Sequence, residues 1–339
     1  MKKIPVEDAI GETICHDMTA IMENGYKGAK FKRGHVIAEG DIPALLDMGK
    51  TQIYVWEPEA DEVHEEDAAR ELSMEICGSN LAVSGPSEGK FQISAATDGL
   101  FRVNGGALRK INSVEDYTVV CRPGGTRVSR GDTLAGLRIV PLVTKRSNVD
   151  EAVAIAKENF PVFAVMPFRP LKTSIIITGS EIFNGRIPDK FEPILRRKLG
   201  AFGAEIVDAV KCPDDLETLQ SAVDNSIGSG AQLILMTGGM SVDPDDLTPT
   251  AIKRTGARMV TQGVPMQPGN MLTMAYLGQT MLIGVPGASM HSPVTSLDVF
   301  LPRIFAGIEI EKGDIAGLGE GGLCLGCKEC TYPVCYFGN

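Results

Sequence analysis

Two groups of residues in this chain have types and spacings that could do chemistry. The first is Thr237-Gly238-Gly239-Met240-Ser241, followed closely by Asp243, Asp245 and Asp246. Gly238 and Gly239 permit positive φ and let a ligand approach the backbone. Amides freed in a turn at the carboxyl end of a strand form an anion site. Carboxylates beside such amides match a phosphate held together with a divalent cation. The plainer reading is a solvated acidic turn that starts a helix. The second group is Cys324, Cys327, Cys330 and Cys335. Thiols this crowded suit tetrahedral zinc or an iron–sulfur cluster before disulfides in a reducing compartment. The final interval is longer than the others and no proline follows Cys335, so spacing does not separate the two metals. A tail this short has no core of its own, and metal would fold it. Cys15, Cys77, Cys121 and Cys212 stand singly, as ordinary thiols do.

No Ser-His-Asp or Cys-His arrangement is visible, and the four histidines are scattered. Catalysis would therefore rest on positioning and electrostatics. His64 and Glu65 open a helix with acids in its first turn, which the helix dipole favours; a metal pair is the alternative reading.

The elements that must position the first group are strands and helices in alternation. Residues 174–178 and 233–236 are continuous apolar strands, as expected when both faces of a sheet are covered. Residues 206–210 and 281–285 read as two more. Helices are expected over 191–202, over 215–227, from Thr248 to about Thr255, and over 289–305. Thr248 is the expected N-cap and Pro249 the first helical residue. The long last helix carries Pro293 and Pro302 awkwardly. This repetition predicts an α/β fold with a parallel sheet and helices on both faces.

Earlier in the chain, residues 1–85 read as a small α/β unit, with a short helix over 41–49 and a strand over 52–56. Residues 86–147 read as β-rich, punctuated by Asp98-Gly99, Gly105-Gly106 and Pro123-Gly124-Gly125. Residues 148–170 are a helix and a proline-bearing linker, 171–312 the α/β domain, and 313–339 the cysteine tail. No internal repeat is visible.

The chain has 339 residues, enough for about two or three domains. A net charge of −10 and a pI near 5.1 argue against nucleic-acid binding and against anionic membrane surfaces. No apolar run approaches the roughly 18 residues that span a bilayer. The N-terminus has acids where a signal peptide is apolar. A cytoplasmic protein is expected.

If the sheet is parallel, the loops after Thr178, Met236 and Val285 emerge at one edge, where ligands bind. Each joins glycine to small polar residues: Thr178-Gly179-Ser180-Glu181, Thr237-Gly238-Gly239-Met240-Ser241, and Pro286-Gly287-Ala288-Ser289. Pro268-Gly269-Asn270 is expected to line the same mouth.

In this order and spacing, these motifs resemble the molybdopterin-binding domain, and specifically molybdopterin molybdenumtransferases of the gephyrin-like class. The resemblance covers about residues 171–308, with a vaguer echo in residues 6–11. It implies a molybdopterin phosphate, or its adenylylated form, in the crevice, with Mg²⁺ near the acids and molybdate insertion as the reaction. Thr178, Gly179, Glu181, Gly238, Gly239, Ser241 and Asp246 match pterin- or metal-binding positions of that family. Asp243 and Asp245 are further candidates for the metal. A homodimer, and molybdoenzymes or other cofactor-biosynthesis proteins as partners, are also implied. Four departures stand out. Gln267 and Asn270 flank Pro268-Gly269 where the transferases have lysines, so oxyanion binding loses charge-assisted bonds. Asp243 replaces a glycine, and Ala288-Ser289 replaces Asn-Pro. The transferases' C-terminal β domain has no counterpart in residues 313–339. The expected function is molybdopterin binding and molybdenum insertion. The alternatives are a non-catalytic carrier or sensor, and a molybdopterin adenylyltransferase.

Overall fold

A computed structural model describes residues 2–21, 27–55, 59–240 and 247–338. Ser241, Asp243, Asp245 and Asp246 lie outside the described residues. The chain divides into two compact units. One comprises residues 1–97, 101–123 and 128–165; the other comprises 98–100, 124–127 and 166–339.

The first unit holds an antiparallel sheet of Leu81–Ser87, Lys90–Ala95, Thr133–Ile139 and Tyr117–Cys121, in that order. Phe91, Ile93 and Ala95 face inward, and the residues between them face outward or are half-buried. The inward residues share a core with the helices Glu65–Ile76 and Arg146–Glu158. Gly105-Gly106, read as turn punctuation, instead opens the helix Gly105–Ile111, because Asn104 caps it by accepting from the Ala107 amide at 3.1 Å. A smaller core of Val6, Ile14, Phe31, Leu45 and Ile53 serves the N-terminal stretch. His64 is fully buried and uses both ring nitrogens. Its Nδ1 accepts from the Glu66 amide at 3.2 Å, and its Nε2 bonds the Cys15 carbonyl at 2.7 Å. Neither nitrogen is left for a metal, so His64 is a helix cap.

The second unit is built on six strands: β1 (Lys172–Thr178), β2 (Glu205–Cys212), β3 (Leu233–Thr237), β4 (Arg258–Gln262), β5 (Thr273–Leu277) and β6 (Thr280–Val285). Their order is β2-β1-β3-β6-β5-β4. The first four in that order are parallel, and β5 and β4 extend the sheet antiparallel. Alternation along β1 sorts its apolar run between two cores. Ile175 and Ile177 meet α2 (Phe191–Gly200) and α5 (Ser296–Phe305), while Ile176 meets α3 (Leu216–Gly228) and α4 (Thr248–Arg254). A short helix α1 (Ser180–Phe183) follows β1. The sheet thus has helices on both faces, as expected, plus an antiparallel pair that was not expected. Each edge strand carries a bulge. Thr173 and Ser174 face Ile206 and Asp208, so Val207 is extra, and Met259 and Thr261 face Ala275 and Met274, so Val260 is extra.

Residues 289–305 do not form one helix. Gly287–Met290 is a 3₁₀ turn and α5 starts only at Ser296. Pro293 disfavours helical geometry in the residue before it. Thr295 then restarts the chain through a capping box with Asp298, whose Oδ2 accepts from the Thr295 amide at 2.8 Å. No described helix is long and apolar enough to cross a membrane.

Candidate functional site

The parallel strands deliver their loops to one cleft of about 620 Å³, within the range of ligand pockets. From β1 come Thr178 and Glu181, and from β3 come Gly238, Gly239 and Met240. Gly269 and Asn270 line it from the loop before β5, and Pro286 and Gly287 from β6. Gly179, Ser180, Thr237 and Pro268 sit in the same turns but do not line the cleft.

Backbone proximity explains the glycines. Gly238 has φ of 84°, and a Cβ there would stand 2.3 Å from the Thr178 carbonyl oxygen and 2.5 Å from its Oγ1. Only glycine lets the β1 and β3 turns meet. Gly269, at φ of 104°, would place a Cβ 2.5 Å from Ser296 Oγ, which donates to the Gly269 carbonyl at 2.6 Å. Gly284 on β6 leaves room for Met240, whose Cε would be 2.6 Å from a Cβ there. Thr248 was expected as the cap of α4. It lies inside that helix, with Pro249 in the first turn, and its hydroxyl donates to the Gly238 carbonyl at 2.8 Å. That bond ties the glycine turn to the helix.

Asp214, which the sequence reading passed over, fixes the first loop. Its Oδ2 accepts from the Ser180 amide at 2.7 Å, and Ser180 Oγ accepts from the Asp214 amide at 3.3 Å. The signal was a pair of adjacent acids, Asp214-Asp215, directly before a helix. Asp215 caps α3 through the Thr218 side chain and amide, and these bonds hold its carboxyl below the usual range.

Among the described residues, three hydroxyls lack partners. Thr178 Oγ1, Thr237 Oγ1 and Thr273 Oγ1 are buried with no hydrogen bond, and of these only Thr178 lines the cleft. Buried hydroxyls are nearly always satisfied.

Lys190 and His291 also line the cleft, as do the apolar Ile182, Phe191, Met271 and Met290. Lys190 and Asn270 matter together. The residue at the expected lysine position is uncharged, and a different element, the start of α2, brings an ammonium to the same opening.

The cysteine tail is docked onto this unit. Phe337 is buried in the core shared by α2 and α5, and Cys324, Tyr332 and Cys335 pack against that core. The tail, expected to have no core of its own, packs into the domain's. Among the described residues, no three His, Cys, Asp or Glu side chains are grouped to hold a metal, the tail thiols included.

Comparison with known proteins agrees with the resemblance read from the glycine loops. Residues 174–306 match the family model of a probable molybdopterin binding domain, and residues 3–57 match that of a domain of unknown function (DUF8806). A molybdopterin molybdenumtransferase of Synechococcus elongatus is 26% identical over 165 residues, covering 46% of this chain and 40% of that protein. A molybdenum cofactor biosynthesis bifunctional protein of the same organism is 31% identical over 201 residues, covering 56% of this chain and 61% of that protein. The chain thus spans less than two thirds of the length of these relatives. Among solved structures, the tungsten cofactor synthesizing protein MoaB of Pyrococcus furiosus is 21% identical, with a TM-score of 0.35, covering 40% of this chain and 94% of that one.

Proposed function

We propose that this protein acts in molybdenum cofactor biosynthesis by binding molybdopterin, or its adenylylated form, in the cleft at the carboxyl edge of the sheet, and that it promotes molybdenum insertion there. The observation that supports this most directly is the buried Thr178 hydroxyl, without a hydrogen bond among the described residues, at the wall of a cleft lined by Gly238 and Gly239. A polar ligand group would satisfy that hydroxyl, and the glycine turns leave the backbone open to it. In this reading Ser241 and the neighbouring amides hold the terminal phosphate. Asp243, Asp245 and Asp246 are the proposed Mg²⁺ ligands. When bound, Mg²⁺ would neutralise phosphate charge and polarise the phosphoanhydride. The chain's own part is to orient the pterin and hold its phosphate in a partly apolar cleft where electrostatic bonds are strong. A cytoplasmic location, a homodimer and molybdoenzyme partners belong to the same proposal.

A second reading, a non-catalytic carrier or sensor, is favoured by Asn270, an amide at the position where the transferases are expected to have a lysine. An adenylyltransferase is the third, and it would consume ATP. The deciding experiment gives anaerobic protein adenylylated molybdopterin and Mg²⁺, with and without molybdate, and follows AMP release and retained pterin. Molybdate-dependent AMP release is the expected result. Retained pterin without AMP release assigns the carrier reading, and no retained pterin overturns the proposal.

A further inference from the structure

The tail forms a loop that is tied at both ends. The Gly338 amide donates to the Gly321 carbonyl at 3.1 Å, so all four tail cysteines lie inside a closed turn of chain. Its first arm runs beside the loop that carries Gly269 and Asn270. The Gln267 amide donates to the Gly322 carbonyl at 2.7 Å, and the Cys324 amide donates to the Gln267 carbonyl at 2.8 Å. A Cβ at Gly322 would stand 2.3 Å from the Pro265 carbonyl oxygen, which is why this position is glycine. The far arm is anchored by buried Phe337 and by Gly338, packed on Val299 of α5.

One bond joins the two arms inside the loop. The Tyr336 hydroxyl donates to the Leu323 carbonyl at 2.6 Å. Those residues are the immediate neighbours of Cys335 and Cys324, so the first and last cysteines flank the tie. Cys324, Cys327 and Cys335 all lie within electrostatic reach of the Tyr336 hydroxyl. Cys324 and Cys335 are half-buried, while Cys327 and Cys330 are exposed on the span between them. The two-residue spacing keeps that span short. The thiols are not gathered as the chain stands, so binding has to draw Cys327 and Cys330 toward the other two. Most of the ordering entropy of such a site is already spent by the tied ends.

We propose that Cys324, Cys327, Cys330 and Cys335 bind one thiolate-held metal centre, zinc or an iron–sulfur cluster, and that its occupancy stiffens residues 267–270 at the cleft. Each thiol gives up its proton to solvent as it binds. The stiffening passes through the two backbone bonds at Gln267, which the centre holds from the side of Cys324. This inference does not depend on what the cleft binds.

The test uses the full chain, purified anaerobically and reconstituted either with Zn²⁺ or with iron and sulfide. The expected result is about one centre per chain, lost in the Cys327→Ser/Cys330→Ser variant and kept in Cys77→Ser. Bound zinc with no visible colour, or iron and sulfide with a charge-transfer band, identifies which centre it is; either supports the proposal. Cobalt titration of the unaltered chain gives a second measurement that needs no variant, because thiolate-to-cobalt bands report four-thiolate binding. Hydrogen exchange at the Gln267 and Cys324 amides should slow about tenfold on loading. No retained metal, or disulfides among these cysteines in the anaerobic protein, overturns the site. Bound metal with unchanged exchange at Gln267 overturns the coupling.

Discussion

The Tyr332 hydroxyl donates to the Asp298 backbone carbonyl at 2.9 Å, and it does so at the position where Pro302 cannot. Pro302 lies inside α5, four residues after Asp298, and has no N–H to complete the helical bond. A side chain from the tail fills the gap in the helix ladder. Burial pushes that phenol well above the ordinary tyrosine range, so it stays protonated and able to donate.

Replacing Tyr332 with Phe removes the donor and leaves a buried carbonyl unsatisfied. We expect a stability loss of about 1–3 kcal/mol, read as a lower midpoint in urea denaturation with an unchanged slope. An unchanged midpoint would mean that water reaches the Asp298 carbonyl.

Thr178→Val separates ligand binding from folding. The hydroxyl has no hydrogen bond among the described residues, so stability should stay within about 0.5 kcal/mol of the parent. Pterin retention should fall about tenfold, the loss of one buried hydrogen bond. If retention is unaffected while Thr178 remains buried, the cleft does not use it.

Asn270→Lys restores the charge that the transferases carry at this loop. A charge-assisted bond outweighs a neutral one by about 1 kcal/mol, so molybdate-dependent AMP release should rise about fivefold at limiting molybdate. A rise that appears only when Lys190 is also intact would mean the two ammonium groups act together. A fall, measured with pterin saturating, would show that the asparagine amide itself is needed.

His64 sets a pH dependence for the first unit. Burial, with Arg33 adding to it, holds its imidazole below the usual value of 6.5. The unfolded chain therefore takes up this proton before the folded one does as pH falls. His64 contributes fully above the ordinary histidine range, and that contribution is lost as pH drops through and below it. Denaturation at pH 7.5 and pH 5.5 should show a larger difference for the parent than for His64→Gln. The variant should also lose about 1 kcal/mol at pH 7.5, since His64 caps the helix Glu65–Ile76.

The cleft was legible in the sequence because its signals are local. A glycine turn after an apolar run marks a loop wherever the rest of the chain goes, and Thr178, Gly238 and Pro286 each carried that mark. What escaped depended on partners distant in sequence. Asp214 looks like any helix-capping acid until its carboxylate is seen on the Ser180 amide. Strand β4 has no unbroken apolar run of its own and becomes a strand by pairing onto β5, which in turn pairs with β6. The helix expected over 289–305 had the right periodicity, and Pro293 overrode it. The tail showed only its cysteines, because Tyr332 and Phe337 give no periodic signal and find their places through α5.

The two bulges in the sheet have a consequence for how copies of this protein can meet. Val207 in β2 and Val260 in β4 interrupt the outer row of backbone groups at both ends of the sheet, and the exposed Arg258 and Lys211 add charge there. An interrupted, charged edge is a poor template for another strand. This sheet is therefore guarded against strand-to-strand aggregation from either side.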